Sequence, residues 1–250
     1  MTRARDAADQ INRVNSSAAD ATAITISALE NVGIGTSSPD NVGSTTALTI
    51  NRASGNGQLS LMGNGTVYGR IFADNATGDL KMGNPTSNDV MFYTANLERM
   101  RIDATGAVTM PAQPAFQVKP ASDQSNIPIG ASTTVVFGTE IFDQNADFAS
   151  NTFTAPVTGK YQLNLNISFQ QLDTDMAYIN VKLITSNRDY TATMGPDTLA
   201  ADGYGNTMLS LLCDMDASDT VFARLDTPAS GAAQTDVIAA NTSFSGYLVA

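Results

Sequence analysis

The chain has 250 residues, of which 42% are hydrophobic and only 15% charged, with a formal net charge of −11. That length can build one or two domains with a real core, and that charge argues against nucleic acid, whose phosphates need a clustered basic surface. His and Trp are absent and Cys213 is the single cysteine, which removes Ser-His-Asp and Cys-His machinery, the usual zinc sites and any intrachain disulfide. The low charge is made up by Asn, Thr, Ser, Gly and Gln, the usual cover of exposed strands and tight turns. From Pro111 onward there are five Lys/Arg against fourteen Asp/Glu, so the acidity belongs to the C-terminal part. A glycosidase needs only two carboxylates, but it usually adds aromatic sugar platforms, which are sparse here. The expectation is a chain without enzymatic activity.

Residues 1–30 are expected to form an N-terminal anchoring arm. Ile11, Val14, Ala18, Ala21, Thr25 and Ala28 recur at spacings of three and four, which reads as a shallow heptad seam. Arg3, Arg5, Ile11 and Val14 are the candidate anchoring residues, with the arginines suited to an acidic socket on a larger assembly. The opening MTRARDAADQINR is charged and contains no apolar stretch, so ordinary export is not expected. No run is long and apolar enough for a membrane-spanning helix, and membrane insertion is not expected.

Residues 31–110 are dense in turn signals, among them Gly63-Asn64-Gly65, Gly78-Asp79, Gly83-Asn84-Pro85 and Thr105-Gly106. Between them lie short alternating runs: Leu48/Ile50, Leu59/Leu61, Val67/Ile71, Leu80/Met82, Val90/Phe92 and Met100/Ile102. These predict strands in hairpins. Each buries little alone, so the segment is expected to be a β-rich shaft module stabilised by copies of itself. Pro111, Pro114 and Pro120 follow, and residues 111–114 are read as the hinge before a head domain at 115–250.

NVGIGTSSP at Asn31–Pro39 and LERMRIDATGAV at Leu97–Val108 resemble the punctuation between modules of bacteriophage tail-fibre and related virion proteins. The resemblance covers this second zone. It implies a particle-surface protein whose N-terminal arm docks on other virion proteins.

From Ala115 the alternation lengthens. Tyr161, Leu163, Leu165, Ile167 and Phe169 alternate with Lys160, Gln162, Asn164, Asn166 and Ser168, a strand with one buried and one solvated face. Ala177–Leu183, Val221–Leu225, Ala115–Lys119, Thr133–Gly138, Met208–Cys213 and Ser243–Val249 complete an antiparallel sandwich of seven or eight strands. Met208–Cys213 and Phe244–Val249 are apolar on both faces. Leu211, Leu212, Phe244, Tyr247 and Val249 are therefore the candidate intersubunit residues. Cys213 in such a run is expected to be a buried small hydrophobe.

The head also resembles the globular head of complement and its tumour-necrosis-factor-like relatives. Phe137, Asp143, Phe148, Phe153, Gly159 and Tyr161 follow that family's spacing, with a gap of four instead of six before Phe153 and Leu163 in place of an aromatic. FTAPVTGKY at Phe153–Tyr161 and the closing SFSGYLVA match its phrases, and DASDTVFARL carries Ser218 where that family has Gly. The resemblance implies an all-β jelly roll that trimerises about a threefold axis.

Together these readings give a non-enzymatic, homotrimeric tail fibre on the virion surface whose tip binds a host glycan or protein. The alternative is a capsid-attached head fibre or decoration protein with the same trimer. Asp173, Asp175, Tyr190, Asp197, Asp202 and Tyr204, on polar loops after the long strand and before Met208, are the candidate receptor contacts. No cofactor is expected; calcium held by the loop acids is the alternative, without an EF-hand spacing to support it.

Overall fold

A computed structural model describes residues 13–15, 22–26, 31–34, 47–52, 55–172, 176–195, 203–227 and 234–250. Its contacts divide the chain into two units, Met1–Thr109 and Met110–Ala250. Among the described residues every regular element is a strand.

In the first unit Arg13–Asn15, Thr22–Ile26, Val32–Ile34 and Leu48–Ile50 form a four-stranded sheet in that order. The first two pair antiparallel, Val14 opposite Ile24. This corrects the heptad reading: Val14 and Thr25, two seam positions, lie on strands of one hairpin. The spacing of three and four was carried by small and polar residues, which support a coil poorly. The NVGIGT phrase supplies the third strand. Buried Asn31 accepts the Ala47 N–H at 2.7 Å on Oδ1, fixing the parallel pairing of Val32–Ile34 with Leu48–Ile50.

Two three-stranded sheets follow: Gln58–Gly63, Thr66–Ala73 and Leu80–Gly83, then Val90–Thr94, Leu97–Ile102 and Val108–Thr109. The first hairpin turns on Asn64 and Gly65, both with positive φ (46° and 77°), the pair a type I′ turn requires. LERMRI forms the central strand of the last sheet. A bulge at its register with Phe92/Tyr93 resets the alternation. Glu98 and Arg101 then meet, Nε to Oε1 at 2.9 Å, while Arg101 also grips Asp89. The Asp103 carboxylate closes the next turn by accepting from Thr105 and Ala107. The phrase is ion-pair and turn punctuation. Between Val32 and Thr109 no hydrophobic side chain whose burial is described is buried; Leu61, Leu80, Met82, Phe92 and Leu97 are all exposed.

The second unit is a sandwich. Its strands are β1 (Ala115–Lys119), β2 (Gln124–Pro128), β3 (Ser132–Thr134), β4 (Thr139–Asp143), β5 (Phe148–Ala149), β6 (Thr152–Thr154), β7 (Gly159–Leu172), β8 (Ile179–Thr185), β9 (Asp189–Met194), β10 (Gly203–Met215), β11 (Thr220–Asp226), β12 (Gln234–Val237) and β13 (Ser243–Leu248). In the first sheet β10 runs along one side of β7. On its other side β13 pairs with Tyr161–Asn166 and β12 with Phe169–Gln170. β1 and β4 extend the sheet beyond β13, and β2 beyond β12. The second sheet runs β5-β6-β11-β8-β9, with β3 also on β11. Thr133–Gly138, read as one strand, is a strand only at Ser132–Thr134, although Val135 and Phe137 are still buried.

Period two explains the core. Tyr161, Leu163, Leu165, Ile167 and Phe169 of β7 face Ile179, Val181 and Leu183 of β8 and Val221, Ala223 and Leu225 of β11, all at most 1% exposed. One end is aromatic: Phe116 stacks on Phe153 with centroids 4.6 Å apart and meets Phe244 edge-on at 5.0 Å. The Tyr161 hydroxyl donates to the Val157 carbonyl at 2.7 Å, as a buried phenol requires. Gly246 lies between Phe116 and Leu163 in the same row; a Cβ there would come within 2.8 Å of the Phe116 ring and 2.7 Å of Leu163. Only glycine leaves room for that ring.

Ser218 closes the Asp216–Asp219 turn with φ of +77°, a region that L side chains occupy at a cost of about 1–2 kcal/mol. Neighbouring groups hold it there: Ser218 N–H donates to Ala155 O at 2.7 Å and Asp219 N–H to Asp216 O at 2.9 Å. Glycine relieves the strain but loses more chain entropy on folding. Ser218→Gly is therefore expected to stabilise the head by about 0.5–1 kcal/mol, raising its Tm by about 2–4 °C. Differential scanning calorimetry of the two proteins checks this; an unchanged or lower Tm contradicts it.

Candidate interaction surface

The outward residues of the two sheets differ in chemistry. On the first sheet, Leu212, Gln162 and Tyr247 stand in one row across β10, β7 and β13. Ser210, Asn164, Ser245, Gln117 and Phe142 form the next, crossing β10, β7, β13, β1 and β4. Met208, Asn166 and Ser243 form a third. From the Gln162 row to the Ser168 row these rows hold no charged side chain on β7, β10 or β13. Lys160 and Asp214 face each other at the rim. The amides are tied laterally: Gln162 Nε2 donates to Ser210 Oγ at 3.1 Å, Ser210 Oγ to Asn164 Oδ1 at 2.8 Å, and Asn166 Nδ2 to Asn241 O at 2.7 Å. Around this uncharged ladder stand exposed apolar groups, with Tyr204 at 72%, Met208 at 69%, Leu212 at 55% and Tyr247 at 49% of full exposure.

The second sheet presents charge. Lys182 Nζ lies 2.5 Å from Asp226 Oδ2, Arg224 Nη2 donates to the same oxygen at 3.0 Å, and Arg224 reaches Asp189 at 4.0 Å. Arg224 Nε also stands 2.8 Å from Asp226 Oδ1, but off the hydrogen-bonding angle. Thr193 Oγ1 donates to Asn180 Oδ1 at 2.7 Å. Burial alone would raise the Asp226 carboxyl; the hydrogen bonds from Lys182, Ser132 and Arg224 overcome it and hold the group down at about 2.

The structure sorts the intersubunit candidates by parity. Leu212, Tyr247 and Val249 are exposed. Leu211 is half-buried against the core, and Phe244 is fully buried within it. Their assignment to an outer face is corrected: adjacent strand positions point to opposite faces, so a doubly apolar strand sends every second residue inward. Leu209, Leu211, Cys213 and Met215 are the inward set of β10. Cys213 is 1% exposed. Burial pushes its thiol up, against the hydrogen bond with Tyr190, so it is not an activated nucleophile.

Among the receptor-contact candidates, Tyr204 is exposed near the start of β10. Tyr190 is not on a loop. It lies on β9 and packs against the core. Burial and then the Cys213 thiol push its hydroxyl up to about 12. Asp173, Asp175, Asp197 and Asp202 lie outside the described residues, as do Arg3, Arg5 and Ile11. Val14 is on the first strand of the N-terminal unit. Among the described residues no three acidic or thiol side chains converge as a metal would need.

Two antiparallel sheets closed over one core, with β7 central and the chain's last strand inserted between it and β1, define a jelly-roll β-sandwich of the complement type. The chain belongs to the C1q domain family, which it matches over residues 115–249. Domains of this family commonly form trimers and typically serve as ligand-binding or structural modules. Among solved structures, the globular domain of zebrafish complement 1qA is similar, at 18% identity and a TM-score of 0.40, covering 55% of this chain and 98% of that one. Murine APRIL at pH 5.0 is similar at 12% identity and a TM-score of 0.41, covering 55% and 99%. No curated protein sequence matches the chain.

The Asp226 network sets a pH dependence. Its carboxyl has a lower pKa folded than unfolded, so the native state binds fewer protons as acid is added. The stabilisation is complete above about pH 4, the ordinary range, and is lost as the pH falls through about 2. Asp226→Asn is expected to remove about 2 kcal/mol at pH 7, with the gap to the parent narrowing between about pH 4 and 2. Urea unfolding at each pH measures it; a gap that does not change with pH contradicts the assignment.

Proposed function

We propose that the chain is a homotrimeric structural fibre of a virion, without catalytic activity, whose C1q-type head is the tip that attaches the particle to a host surface molecule. The observation that carries this reading is the uncharged outer face of the first sheet. A water-exposed face of an acidic protein normally carries charge, whereas protein interfaces are depleted of it at their centre and rich in aromatic side chains and Met. The rows through Gln162, Asn164 and Asn166, edged by Met208, Leu212 and Tyr247, have that composition. Three copies turned inward on this face would cover it, in keeping with the family's habit.

The N-terminal unit supports the same stoichiometry. From Val32 to Thr109, none of its strand residues whose burial is described is a buried hydrophobic side chain. Three-stranded sheets without a core are marginal alone. Winding with two further copies would cover Leu61, Leu80, Met82 and Phe92. The NVGIGT and ERMRID phrases carry the virion part of the proposal through their resemblance to fibre punctuation. Attachment would then be multivalent, with three sites per fibre adding up.

Light scattering of the full chain tests the trimer: the expected mass is about three times the 26.2 kDa chain. Leu212→Asp with Tyr247→Asp is expected to shift the mass toward one copy while the head keeps its β-sheet circular dichroism. A single-copy mass for the unaltered chain at micromolar concentration overturns the proposal.

A further inference from the structure

The outer face of the second sheet holds a feature that the trimer reading does not use. Ser132 on β3, Asp226 on β11, Asn180 on β8 and Thr193 on β9 stand in one register row across four adjacent strands. Their side chains are, in order, hydroxyl, carboxylate, amide and hydroxyl. Where this row meets the segments before β3 and β8, a depression of about 240 Å³ opens, lined by Gly130, Ser132, Tyr178, Asn180, Asp226 and Thr227.

The polar lining groups are held in place. The Asp226 carboxylate is fixed by Lys182, Arg224 and Ser132. Asn180 Oδ1 takes the Thr193 hydroxyl at 2.7 Å, which leaves the amide NH2 to donate outward. Buried Thr227 binds the Gly130 N–H at 3.1 Å on Oγ1 and forms the floor. Tyr178, 39% exposed, supplies an aromatic wall.

We infer that this depression is a binding site for a neutral hexopyranose unit of a surface glycan, with Tyr178 against the sugar ring and Asn180 and Ser132 on its hydroxyls. A sugar ring needs adjacent donors and acceptors on a flat base, plus one apolar face for its C–H groups; the row and the ring offer both. Charge selects among sugars. Lys182 and Arg224 are committed to Asp226 and Asp189, so two cations face two anions and no free charge remains for an anionic or cationic sugar. Preordered side chains also lower the entropy cost of binding. The inference deepens the proposed host attachment and rests on it for its biological meaning.

The test uses the full chain and the methyl glycosides of glucose, galactose and N-acetylglucosamine, followed by saturation-transfer NMR. At least one is expected to bind in the millimolar range. Tyr178→Ala and Asn180→Ala are each expected to weaken it about tenfold or more while the mass by light scattering stays that of the parent. Binding of none of the three, or unchanged affinity in both variants, overturns the site. A parallel arm measures adsorption of the labelled chain to a panel of bacterial strains. Loss of adsorption after periodate treatment of the cells, and in both variants, is expected. Adsorption lost only after protease treatment, or kept by both variants, overturns the site while host attachment stands. Sugar binding with no adsorption to any strain overturns host attachment and leaves the site.

Discussion

The strict alternation of β7 is the constraint on which the head depends. One face of this strand, from Tyr161 to Phe169, is at most 1% exposed and fixes the sandwich interior. The other, from Gln162 to Ser168, presents only amides and a hydroxyl. A slip of one residue would exchange the two sets and put the amides in the core. Pairing prevents it. β10 pairs with β7 along almost its full length, and β13 locks the other side, with Gly246 admitting the Phe116 ring opposite Leu163. The register that buries the core is therefore the same register that assembles the uncharged outer rows.

Much of this was legible in the sequence because period two is visible wherever polar and apolar residues alternate. The runs through Tyr161, Val181 and Ala223 became β7, β8 and β11. Ser218 sits where the family has Gly, and its positive φ accounts for that position. Strands apolar at every position gave no such signal, so Phe244 and Leu211 could not be told from Tyr247 and Leu212 until pairing partners were known. Tyr190 was read as a loop residue because Asp189, Thr191 and Thr193 look like loop composition. They are the wet face of β9, and Tyr190, Ala192 and Met194 are its inner face. The N-terminal seam failed for the opposite reason: spacing alone suggested a helix, while the side chains at those positions bury too little to hold one.

The depression at Tyr178 had no local signature. Ser132, Asn180 and Asp226 are far apart along the chain, and only antiparallel register brings them into one row. Composition gave no pointer to its place, since aromatics are only 7% of the chain. A single ring at the end of a polar row suffices for one sugar unit. Sites of this kind are assembled by topology and are invisible to spacing rules.

The two outer faces cannot exchange roles. Covering the second sheet with another subunit would bury Lys182, Arg224, Asp189 and Asp226, whose ions stay cheap only while water reaches them. Covering the first sheet removes uncharged groups, of which Gln162 and Asn164 are already tied to the Ser210 hydroxyl across β7 and β10, together with apolar groups that gain from leaving water. Desolvation cost thus decides which face turns toward the threefold axis in the proposed trimer. It leaves the charged face outward on all three subunits, so any ligand taken there is met in triplicate. Weak single sites suit this geometry, because linkage through one fibre multiplies them without requiring a deep pocket.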